Sequence, residues 1–178
     1  MARAKSGGLL LQAALGALGL LLVPMAGPAA AQERPRAAVE FTPGWVGFAD
    51  DGIVSEALVG GAARWYLGPR VSVGPEVVYI QGDNHSHLIV TGNVSWDLLA
   101  PTGGRASRVT PFLIAGGGVF QTRETFPSET FTSSEGAFTA GGGIRVLVND
   151  RVTIGMDARV GWELHVRLNG VVGVRLGR

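Results

Sequence analysis

Five consecutive residues, Asp83 to His87 ("DNHSH"), hold the side chains of this chain best suited to chemistry. His85 and His87 could ligate a metal, but no third ligand stands beside them in sequence, and two histidines alone make a poor site. Ser86 with Asp83 and either histidine has the residue types of a nucleophile, base and orienting acid. One short loop does not readily give those three the required geometry. We read His85 and His87 as solvated loop histidines, and His165 stands apart from them. No catalytic, cofactor-binding or metal-ligating residue is assigned on this basis, and no cofactor is expected. With no cysteine in the chain, disulfide frameworks and thiol chemistry are excluded.

A second set of reactive types is arranged differently. Along "RVTIGMDARVGWEL" (151–164) every second residue is apolar, and Asp157, Arg159 and Glu163 fall between them. A period of two is a β-strand signature. The same alternation runs through most of the chain and collects five acids and five arginines on one face: Glu40, Arg64, Glu76, Asp97, Arg145, Asp157, Arg159, Glu163, Arg167 and Arg175. The opposite face carries no charge.

No amphipathic helix of convincing length follows the first residues. Gly is abundant, and β-branched and aromatic residues lie between evenly spaced turn signals. Eight strands are predicted, at about 37–48, 56–67, 71–81, 86–99, 109–122, 136–148, 151–162 and 165–177. The segment "RETFPSETFTSSE" (123–135) reads as the longest loop. The last hairpin is placed near Leu164; the competing choice, Asn169-Gly170, carries the stronger turn signal but leaves a last strand shorter than the roughly 9–11 residues that cross a bilayer. "AGGG" occurs at 115–118 and 140–143. Pairing the runs across the long loop sets Gly117 opposite Gly142, with the glycines relieving crowding. A phosphate-cradling loop would need a following helix, and none follows either run.

The amino terminus reads as a secretory signal peptide over residues 1–31: Arg3 and Lys5, a long apolar run, then small residues up to Ala31. Residues 32–36 ("QERPR") form a short polar lead-in, and 37–178 form one domain. Loss of Arg3 and Lys5 turns the formal net charge of +1 into −1. No basic patch points to nucleic acid.

Alternation alone does not say which face is inside. The tryptophans decide it. Trp45, Trp65, Trp96 and Trp162 all lie on the uncharged face and none at a strand centre; with Tyr79 they form two aromatic girdles, as at the two interfaces of a membrane barrel. Eight strands enclose a space that side chains can fill, and balanced Arg and acid side chains beside glycines can pack there. The expectation is an all-β, eight-stranded antiparallel up-and-down transmembrane β-barrel. Arg64 and Glu76 are expected within salt-bridge reach, or in one network with Glu40, Arg145 or Arg159.

The stretch "GGAARWYLGPRVSVGPEVVY" (60–79) resembles the strand–tight turn–strand unit of small bacterial outer-membrane β-barrel proteins of the OmpA-like and OmpX-like kind. "TPFLIAGGGV" and the alternating carboxy-terminal strands are similar too. The resemblance implies a periplasmic tight turn and inward Arg and Glu on adjacent strands, roles that Arg64 and Glu76 match. It also implies outer-membrane lipid as surroundings and the barrel-assembly machinery as a partner in biogenesis. Such barrels usually end in an aromatic residue; this chain ends "VRLGR", and Pro43, Pro75 and Pro111 fall inside its strands. Lipid A deacylases among such barrels carry His-x-Ser, a spacing that His85-Ser86-His87 lacks. A non-enzymatic structural or interaction barrel is therefore the leading reading. The alternatives are a soluble periplasmic lipocalin-like barrel for an apolar ligand and a lipid-modifying outer-membrane enzyme.

Overall fold

The computed structural model describes residues 35–49, 53–82, 85–99, 107–125 and 130–177. The segment expected as a signal peptide, residues 1–31, and residues 32–34 of the expected lead-in lie outside them, as does Asp83. Eight strands follow in order: β1 (Ala37–Ala49), β2 (Ile53–Tyr66), β3 (Val71–Gln81), β4 (His85–Asp97), β5 (Val109–Thr125), β6 (Thr130–Leu147), β7 (Val152–Gly161) and β8 (His165–Leu176). Each pairs antiparallel with its neighbours, and β1 pairs with β8, so the sheet closes into a barrel in up-and-down order. Closure leaves no unpaired sheet edge. The connections β1–β2, β3–β4, β5–β6 and β7–β8 share one end, the loop end. The other three connections and both ends of the barrel segment share the opposite, terminal end.

The three prolines are accommodated by lapses in one ladder each or at a strand's margin. Pairing of β1 with β8 skips Thr42 and Pro43 while Pro43 still lies opposite Val59 of β2. Pairing of β2 with β3 skips Pro75 while it lies opposite Gly92 of β4. Pro111 lies beyond the last β4–β5 pair. In each case the missing N–H falls where no partner strand needs it.

Two sequence expectations are corrected. Much of 123–135 is strand: the β5–β6 ladder runs to Thr125 opposite Thr130. Thr and Phe alternate there and suit a pleated surface, and Gln121 Nε2 donates to Ser134 Oγ at 3.3 Å. The hairpin centre therefore shifts, and Gly117 pairs with Phe138 and Ala115 with Ala140. The shift is an even number of residues, so every side chain keeps its face.

The last hairpin turns at residues 162–164, as expected, and Asn169-Gly170 lies inside β8. Glu163 and Leu164 take φ of 59° and 40°. Neither residue type favours that region; the ladder between β7 and β8 imposes it.

Candidate functional site

The uncharged face looks outward on every strand. Val39, Phe41, Val59, Val77, Val90, Val119, Ile154, Val172 and Val174 are among its exposed aliphatic and aromatic side chains. Trp45, Tyr79 and Trp162 stand on this surface toward the loop end, and Trp65 and Trp96 toward the terminal end. The Tyr79 hydroxyl donates to Gln81 Oε1 at 2.8 Å, and Trp162 meets the Phe138 ring edge-on at 6.0 Å.

The interior is polar over its middle and terminal half. Glu40, Arg64, Glu76, Arg145, Asp157, Arg159 and Arg167 are all buried. They form two groups. In the first, Glu76 Oε2 accepts from Arg159 Nη1 at 2.7 Å, Arg167 Nη2 at 3.0 Å and Asn93 Nδ2 at 2.8 Å. Arg159 also clasps Asp157 with Nε and Nη2, both at 3.0 Å, and Asn169 Nδ2 donates to Asp157 at 2.6 Å. In the second, Arg64 Nε lies 2.7 Å from Glu40 Oε2 and Arg145 Nε lies 3.5 Å from Glu40 Oε1, ion pairs without hydrogen-bond alignment. Arg145 Nη1 reaches Asp97 at 3.0 Å, and its guanidinium lies 3.6 Å over the Phe112 ring. Arg64 Nη1 donates to Ser95 Oγ at 2.5 Å.

Arg64 and Glu76 thus both face inward but join different groups. Arg175 lines a cavity of about 60 Å³ at the terminal end with Tyr66, Asp97 and Arg145. Glu163, expected inside, is exposed in the β7–β8 turn because the strand ends at Gly161. Partial burial and the Glu135 carboxylate raise its pKa.

Glycines make room for these chains. At Gly143 a Cβ would meet Asp157 Cβ at 2.7 Å. The space left beside Arg64, Glu76, Asn93 and Arg159 is about 10 Å³, room for at most one water.

Toward the loop end the interior turns apolar. Val46, Leu58, Val78, Ile80, Ile89 and Phe120 form a buried cluster with Phe48 and Ala137 against it. The rings of Phe48, Phe120, His87 and His165 stack into it at 5.1–6.5 Å. Above them, His85 Nε2 lies 2.5 Å from Glu56 Oε1. The sequence predicts solvated loop histidines at His85 and His87, whereas the barrel buries His87 and leaves His85 half-buried. No spacing along the chain could reveal Glu56, which arrives from β2. Ser86 lies between the histidines on β4, so its side chain takes the opposite face.

No family model matches this chain, and no curated protein matches it. Solved structures do. Neisserial surface protein A, NspA, superposes with a TM-score of 0.69 at 10% identity, covering 84% of this chain and 100% of that one. The N-terminal β-barrel domain of Pseudomonas aeruginosa OprF gives 0.59 at 13% identity over 79% and 98%. Ail, the attachment invasion locus protein of Yersinia pestis, gives 0.57 at 10% over 80% and 99%. At such identities the likeness is one of architecture, and the architecture of this chain is that of the small eight-stranded transmembrane β-barrels.

Proposed function

We propose that this chain is exported by a cleaved signal peptide and resides in the outer membrane as a non-enzymatic barrel with a structural or interaction role. The observation that carries the reading is the inversion of the two faces. Exposed aliphatic side chains ring the barrel while its buried charges are paired inside. Such a surface would aggregate in water and suits hydrocarbon, where a closed barrel satisfies every backbone group. Outer-membrane lipid is the partner of that surface, and the barrel-assembly machinery is the partner in biogenesis.

The filled middle of the barrel favours a plug over a wide pore, as eight strands allow. It also disfavours a lipocalin-like role, because the enclosed space is charged and nearly closed. A hydrolase centred on Ser86 is disfavoured by the alternation that turns Ser86 away from His85 and His87. A folded barrel of this kind runs at a different gel mobility before and after boiling in detergent. We expect that shift for the detergent-extracted protein; identical mobilities would contradict a closed membrane barrel.

A further inference from the structure

The loop end holds a cluster that the barrel role does not use. Glu56 on β2 and His85 and His87 on β4 each offer one ligand atom, all within 4.8 Å of one another. β2 and β4 are not neighbours; β3 runs between them. Glu56 reaches across because the residue between is Gly82. A Cβ there would meet Glu56 Oε1 and His85 Nε2, both at 2.5 Å. The absent side chain is therefore what lets the carboxylate and the imidazole meet.

We propose that Glu56, His85 and His87 form a site for a borderline divalent transition-metal ion, of which Zn²⁺ is the representative. Two imidazoles and a carboxylate with water completing the shell is a donor set that zinc takes, and imidazole ligation favours first-row transition metals over Ca²⁺ or Mg²⁺. The buried state of Glu56 supports this independently. Its side chain is 5% exposed, and its Oε2 is buried without a hydrogen-bond partner among the described residues. A buried carboxylate oxygen with no donor is costly, and a cation supplies what it lacks.

The surroundings fit as well. His87 Nδ1 lies 3.0 Å from Thr122 Oγ1, a contact that holds the orientation of the imidazole. Phe48 and Phe120 hold that ring at 5.2 and 5.1 Å. His85 is 34% exposed and gives the ion a route from the loop end. Two ligands on one tetrahedral zinc stand about 3.3 Å apart, given bonds of about 2.0 Å. The 2.5 Å Glu56–His85 contact therefore opens slightly as both bond the ion, and the mobile partner is His85.

The test is titration of the protein, folded in detergent without a polyhistidine tag, with ZnCl₂ by calorimetry and with CoCl₂ by visible absorption. We expect one ion per chain, a cobalt spectrum of low coordination number, and no comparable binding of Ca²⁺. His85→Ala, His87→Ala and Glu56→Gln should each weaken Zn²⁺ binding roughly tenfold or more. Gly82→Val should do the same while leaving all three donors in place. His165→Gln, in the same ring cluster but outside the donor set, should bind as wild type. Circular dichroism establishes that each variant is folded; should a buried variant fail to fold, His85→Ala and Gly82→Val carry the test. Absence of Zn²⁺ binding by wild type, or binding unchanged in His85→Ala and Gly82→Val, overturns the site.

Discussion

Glu76 Oε2 and Arg159 Nη1 lie 2.7 Å apart although β3 and β7 stand four strands from each other in a ring of eight. Those strands are diametrically opposite, so this ion pair crosses the barrel. Arg167, from β8, converges on the same oxygen at 3.0 Å. The pair ties together walls that no backbone ladder joins directly, and it occupies the space a pore would need.

Removing Glu76 should therefore be expensive. Glu76→Ala leaves Arg167 without its carboxylate in a buried site and leaves Arg159 with Asp157 alone, and the loss of one partner of such a pair costs about 3–5 kcal/mol. Denaturant unfolding in micelles, followed by tryptophan fluorescence, reads this directly. The double variant Glu76→Leu with Arg159→Met should cost less than the sum of its singles.

The two interior groups should behave as separate units. Arg64 pairs with Glu40 and Glu76 pairs with Arg159. In double-replacement cycles the coupling of Arg64 with Glu40 should exceed that of Arg64 with Glu76, the larger falling in the usual range of about 0.5–3 kcal/mol for contacting residues. Equal couplings would merge the groups into one network.

Val90 and Ile154 are 41% and 47% exposed on the aliphatic band. Val90→Arg and Ile154→Arg should each cost about 2–4 kcal/mol when the barrel is folded into lipid, since they set a charge in hydrocarbon. Wild-type stability of both variants in bilayers would contradict the assigned faces.

Glu163 carries a pH signature at the loop end. Partial burial and Glu135 raise its folded pKa, so folding favours the protonated acid. Its contribution is fully present below the unfolded pKa and is lost as pH rises through the folded one. Glu163→Gln should flatten stability across the window from the ordinary glutamate pKa to just above it. A pH profile identical to wild type would contradict the raised pKa of Glu163.

Much of this fold was legible because a period of two survives small errors in register. Placing Gly117 opposite Gly142 misjudged the β5–β6 pairing, yet the even offset kept each side chain on its face. Glu163 was misjudged because alternation continues through "GWEL" past the point where the strand stops at Gly161. The apolar plug was not legible, because "VVYI" in β3 is apolar on both faces and hides the inward Val78 and Ile80. The Glu56–His85–His87 cluster was invisible for a different reason. It depends on a gap at Gly82 between strands that are not neighbours, and a single sequence carries no signal for that.

The outward aliphatic surface suits lipid, and fractionation of cells producing the full chain is the direct test of that assignment. We predict that the mature protein, beginning near Gln32, sediments with the outer membrane and leaves it only with detergent. Recovery of the bulk of the protein in the soluble periplasmic fraction without detergent would contradict the account.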